Sequence, residues 1–87
     1  MYKIELRKKV QKSLDVIPED DFSAIIEAIW GLKDDPRPRG VEKLKGLGRI
    51  DVLWRIRQGD YRIVYSIDDS QKLVTIVRVG HRREVYR

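Results

Sequence analysis

The chain contains no cysteine and a single histidine, His81. The first absence excludes a disulfide framework and a thiol nucleophile, and one histidine without cysteines leaves no ligand set for a structural zinc site. Neither a metal nor a cofactor is therefore expected. No stretch approaches the roughly 20 consecutive apolar residues of a membrane span. Lys3, Glu5, Arg7, Lys8, Lys9, Lys12 and Asp15 make the first fifteen residues too charged for a secretory signal, so a cytoplasmic location is expected. Prolines number three, Pro18, Pro36 and Pro38, and all fall where a helix must start or stop.

With 87 residues, 41% of them hydrophobic and 38% charged, the chain reads as one folded domain spanning 1–87 with no room for a second unit. The net charge of +5 is unevenly spread. Residues 1–42 carry eight Lys/Arg against nine Asp/Glu, whereas residues 43–87 carry eleven against five. The second half is thus the half that faces an anion, with nucleic acid as the leading candidate and an idle charged surface as the alternative.

Hydrophobic spacing divides the chain. Tyr2, Ile4 and Leu6 alternate with Lys3 and Glu5, the period of a half-buried strand. Leu6, Val10, Leu14 and Ile17 follow at helical spacing, and after Pro18 the acidic run Glu19, Asp20, Asp21 suits a second helix N-terminus. Phe22, Ile25, Ile26, Ile29 and Trp30 form its apolar stripe, with Phe22 and Trp30 expected in the core. Residues 34–40 read as a surface loop, and 41–49, with Lys43, Lys45, Gly46 and Gly48, as a flexible basic connector. A meander of strands completes the chain: one over Ile50–Arg57, where Ile50, Val52, Trp54 and Ile56 alternate with Asp51, Leu53, Arg55 and Arg57, one over Tyr61–Ile67, a turn at residues 68–71, and a last strand over Leu73–Val79. The expected fold is α+β, an N-terminal strand and a two-helix hairpin packed on one face of a mainly antiparallel sheet of about four strands.

A tight turn at Gln58-Gly59 would set Arg57 opposite Asp60, Arg55 opposite Arg62 and Leu53 opposite Val64. Like charges facing each other weaken a sheet, so an Arg55–Arg62 pair calls for something anionic between them. Guanidinium forks grip phosphate oxygens bidentately and stay charged throughout a reaction. The alternative is that the long stems lie along the sheet with their heads in water. Arg78, Arg82 and Arg83 add to the cluster. Leu53, Val64, Val74 and Ile76 are expected to place apolar area near the same open face, where a partner would bind.

Three segments carry a family resemblance: Leu44-Lys45-Gly46, then residues 53–65 (Leu-Trp-Arg-Ile-Arg-Gln-Gly-Asp-Tyr-Arg-Ile-Val-Tyr), then Val79-Gly80-His81-Arg82-Arg83-Glu84-Val85-Tyr86. Together they resemble the toxins of the RelE/ParE superfamily of toxin–antitoxin systems, especially the RelE side, over essentially the whole chain. The resemblance implies a microbial RNase-like fold, an endoribonuclease that cuts mRNA in the ribosomal A site, and a cognate RelB-like antitoxin. It makes Arg62 the transition-state arginine, Arg55 a basic neighbour, Arg82 a basic residue after the glycine, Tyr86 a C-terminal aromatic, and Lys43 and Lys45 holders of the RNA backbone. Arg57, Arg78 and Arg83 are further candidates for RNA binding.

Metal-independent RNA cleavage needs the 2′-OH to lose a proton and attack phosphorus while charge grows on the non-bridging oxygens. Arg62 and Arg55 are the candidates to stabilise that charge, and His81 is the side chain whose ordinary pKa suits proton transfer near neutrality. Tyr86 is a candidate for base stacking or proton transfer, and neither Glu84 nor Asp60 is fixed by sequence as a carboxylate base. Two other functions fit the same features: a ParE-like poison of DNA gyrase and a non-catalytic RNA-binding module.

Overall fold

The computed structural model describes residues 1–44 and 52–85, with the side chains of all but Glu84 and Val85. Lys45 and Tyr86 lie outside the described residues. The elements are β1 (Lys3–Leu6), α1 (Lys8–Asp15), α2 (Glu19–Gly31), β2 (Glu42–Leu44), β3 (Leu53–Gln58), β4 (Tyr61–Asp68), β5 (Leu73–His81) and a final turn of helix, α3 (Arg82–Val85). The strands form one sheet in the order β1-β5-β4-β3-β2, with β1 parallel to β5 and the other pairs antiparallel. This is the α+β arrangement expected, with one strand more. Residues 42–44, read as connector, pair with β3.

One face of the sheet is covered by α1 and α2. Val10 and Leu14 from α1 and Ile25, Ile29 and Leu32 from the second helix and its end pack on Ile56, Ile63, Tyr65, Val74, Ile76 and Val79. The stripe of α2 is centred on Ile25, Ile29 and Leu32, which recur at i, i+4 and i+7. Phe22, Ile26 and Trp30 lie on its flank; Ile26 is half-buried against the core, and the ends of the row reach solvent. Phe22 is accordingly 37% and Trp30 53% exposed, against the expectation that both are core residues. The Lys33 ammonium lies 4.8 Å from the Trp30 ring centroid, so this ring packs under a cation at the surface.

The β3–β4 hairpin turns at Gly59-Asp60, one residue later than expected. Gly59 has φ +60, and a left-handed glycine at the first central position is the signature of a type II′ turn. Gln58 then faces Tyr61, Arg57 faces Arg62, Ile56 faces Ile63, Arg55 faces Val64 and Trp54 faces Tyr65. The expected facing of Arg55 and Arg62 is therefore corrected: the arginine opposite Arg62 is Arg57.

A β-bulge in β5 makes the second correction. Val64 faces Arg78 while Tyr65 faces Ile76, so Val77 is an extra residue on one strand. The bulge reverses the alternation: Val74 and Ile76, each 0% exposed, point into the core, whereas Arg78 joins Val64 on the other face. The apolar area expected from Val74 and Ile76 on the open face is not there. Val64 is itself buried, and Leu53 is half-buried.

Candidate nucleic-acid interface

Register and alternation gather arginines on the sheet face away from α1 and α2. Two rows cross the strands there. One runs Arg57, Arg62, Gly80; the next runs Glu42, Arg55, Val64, Arg78. Neighbouring strands lie about 4.8 Å apart, and residues two apart along a strand about 6.6 Å. Four arginine stems thus rise from a small quadrilateral, and Gly80 leaves no side chain on one side of Arg62.

Arg62 is 6% exposed, and its Nη1 donates to the Tyr61 carbonyl at 3.1 Å and the Gly59 carbonyl at 3.4 Å. The hairpin turn thereby orients the guanidinium. Arg55 is 8% exposed and Arg57 is exposed. Both donate to the Glu42 carboxylate: Arg55 Nη2 to Oε2, and Arg57 Nη2 to Oε1 at 3.4 Å.

Glu42 is the member of this face that the sequence does not reveal. It is the one carboxylate between Asp35 and Asp51, in a segment too short to show strand periodicity. Its position is prepared by the preceding loop. The buried Tyr65 hydroxyl donates to the Pro36 carbonyl at 2.7 Å, and Arg37 grips Asp69 at 2.9 and 3.3 Å. Tyr2 also donates to Asp69, at 2.6 Å. The Arg37 hydrogen bond, then that of Tyr2, holds the Asp69 carboxyl below the usual carboxylate range. Gly40, at φ +88, then turns the chain into β2.

The remaining candidates separate. His81 faces Tyr61 on the helix side of the sheet, ring centroids 5.7 Å apart and planes at 78°. With Ser13, Val16 and Ile17 of the α1 end it lines a hollow of about 190 Å³. The structure does not bring it to the arginine face, because it lies one residue beyond Gly80 and so has the opposite parity. Arg82 and Arg83 are exposed at the start of α3. The Arg82 amide donates to the Asp60 carbonyl at 2.8 Å, docking α3 beside the hairpin turn, and the Arg83 amide donates to His81 Nδ1 at 3.4 Å. Lys43 faces Trp54, one step out of phase with Glu42, and its Nζ lies 5.8 Å from the Trp54 ring centroid. Among the described residues, no three His, Asp or Glu side chains gather as a metal site.

Guanidinium is a fixed charge, so such an arrangement suits an oxyanion better than it suits proton transfer. Known proteins agree with the topology. The family model described as ParE toxin of type II toxin-antitoxin system, parDE, matches residues 4–86. Toxin RelE of Mycobacterium tuberculosis is 31% identical over 87 residues, covering 99% of this chain and 87% of that protein. Toxin RelG of the same organism is 30% identical, with 99% and 97% covered. Among solved structures, the archaeal RelE-RelB complex from Pyrococcus horikoshii superposes with a TM-score of 0.81 at 34% identity, covering 93% of this chain and 94% of that one. The RelBE2 toxin-antitoxin complex of M. tuberculosis gives 0.78 at 28%, covering 93% and 98%. The chain belongs to the RelE/ParE superfamily and is a RelE-family toxin of a toxin–antitoxin system.

Proposed function

We propose that this toxin is a metal-independent endoribonuclease that cleaves mRNA in the ribosomal A site by 2′-OH attack on the adjacent phosphate, and so inhibits translation in the cytoplasm. The observation that carries the reading is the arginine face, with Arg62 buried, oriented by the hairpin turn and flanked by Arg57. Charge that builds on the phosphate in the transition state is what such fixed cations stabilise. Arg62 is the principal catalytic residue. Arg57 and Arg78 hold the non-bridging oxygens and flanking phosphate, and Arg55 acts through Glu42. Arg82, Arg83, Lys43 and Lys45 serve as contacts to the RNA, and Tyr86 stacks on a base or takes part in proton transfer.

A site rich in arginine, with its histidine across the sheet, is a weak proton-transfer device and gains most from external positioning. The ribosome supplies that by holding the 2′-OH in line, which orients the reacting atoms without any change to the toxin. The same logic assigns a RelB-like antitoxin as partner, in keeping with the RelE-RelB complex of the archaeal relative.

The test is a translation-coupled cleavage assay with wild type, Arg62→Ala and His81→Ala in parallel. Codon-positioned cuts are expected in translated message, reduced about 10²- to 10³-fold in Arg62→Ala, as for loss of one preorganised transition-state donor. His81→Ala is expected to stay within a few-fold of wild type. A second reading is favoured by the ParE description of the matching family model: inhibition of DNA gyrase. Supercoiling inhibition by the purified protein, with no cut in translated message, selects it and overturns the nuclease.

A further inference from the structure

We infer that Arg55 and Arg57 form a fork whose resident occupant is Glu42, and that an RNA phosphodiester takes Arg57 by displacing Glu42 from it while Arg55 stays paired. The choice of ligand rests on the ribonuclease reading above.

The two halves of the Glu42 contact differ in kind. The Arg55 side chain is 10% exposed and makes the closer contact. The Arg57 side chain is 60% exposed and reaches its oxygen at 3.4 Å. Glu42 itself is 42% exposed, so its carboxylate meets solvent. An exposed, long ion pair contributes little and exchanges readily, whereas breaking a buried one strands a charge. A phosphodiester presents two oxygens sharing one negative charge, as a carboxylate does, and competes with Glu42 for Arg57. Arg57 is the member able to turn, and its strand partner is Arg62. Directly opposed side chains start from Cβ atoms about 4.5–5.5 Å apart, within reach of one phosphate. Leaving Glu42 therefore carries Arg57 toward the residue that handles the reacting group. Glu42 sets how tightly RNA is held, as a built-in competitor, and through Arg55 it keeps β2 in register with β3.

The experiment measures binding of a single-stranded 2′-O-methyl oligoribonucleotide, which lacks the attacking hydroxyl, by wild type, Glu42→Gln, Arg57→Ala and the double variant. Glu5→Gln is the control, because Glu5 removes the same charge from the same sheet face on β1, opposite Thr75. Glu42→Gln is expected to tighten binding roughly 3- to 10-fold at low salt, and the gain is expected to vanish when Arg57 is alanine. Glu42→Asp keeps a charge beside Arg55 while shortening its reach to Arg57, so it is expected to show the same gain if Glu42→Gln proves too unstable to assay. Binding by Glu42→Gln no tighter than by Glu5→Gln, a gain that survives Arg57→Ala, a Glu42→Asp variant that binds as wild type, or no oligonucleotide binding by wild type each overturns the inference. Because no cleavage is read, coupled binding without mRNA cutting removes the nuclease and leaves the fork. Cutting without the coupling does the reverse.

Discussion

Replacing Tyr65 by phenylalanine removes one oxygen from the centre of the molecule and isolates what it does. The ring is 0% exposed and its hydroxyl donates to the Pro36 carbonyl at 2.7 Å; Pro36 is itself buried. Phenylalanine fills the same ring volume, so no large cavity opens. The loss is the hydrogen bond and the desolvation of a carbonyl left without that donor, about 1–3 kcal/mol. For a domain of this size each kcal/mol lowers the melting temperature by roughly 4–8 °C. Urea denaturation followed by circular dichroism at pH 7 should give that loss with an unchanged m-value. Alkaline pH supplies an independent check. Burial raises the Tyr65 phenol above its ordinary value, so its neutral form is favoured in the native state. Its contribution is complete below the unfolded value of about 10 and is lost as pH rises toward the folded value, because the unfolded chain releases the proton first. Wild type should therefore lose stability above about pH 10 more steeply than Tyr65→Phe. Equal stability at pH 7, or parallel alkaline limbs, refutes the idea that this hydroxyl anchors the loop leading to Glu42.

Two further substitutions test the frame around the arginine face. A Cβ at Gly59 would meet nothing within 4 Å, but φ is +60, so Gly59→Ala is expected to cost only the left-handed backbone penalty of about 1–2 kcal/mol in urea denaturation. Asp69→Asn should flatten the acid limb of the stability curve. The Asp69 carboxyl is held below its ordinary value by Arg37 first and Tyr2 second, so its share is present above about pH 4 and is lost as pH falls through the folded value. An acid limb identical in wild type and variant removes the loop clamp from the account.

Periodicity made most of the fold legible. Val10 and Leu14 recur on one helix face, and Ile56, Ile63 and Tyr65 alternate on neighbouring strands, and all five lie in the core. What was not legible depends on partners distant in sequence. β2 has three residues, too few to carry a pattern, and exists because Glu42, Lys43 and Leu44 find Arg55, Trp54 and Leu53. The exposure of Trp30 is not legible in the sequence, because burial follows a residue's angle around the helix and not its apolar character alone.

The two register errors differ in consequence, and the difference explains which part of the site survived them. The hairpin pairing is displaced from its expected register by two residues in total, which changes who faces whom but preserves parity. Arg55, Arg57 and Arg62 therefore remain on one face although their pairings change. The bulge at Val77 inserts one residue, and a single residue inverts parity. It removes Val74 and Ile76 from the open face and keeps Arg78 there, opposite Val64. The charge that an oxyanion would meet is thus set by alternation, which a sequence displays, whereas the counter-charge that tempers it comes from a neighbouring strand, which only topology supplies.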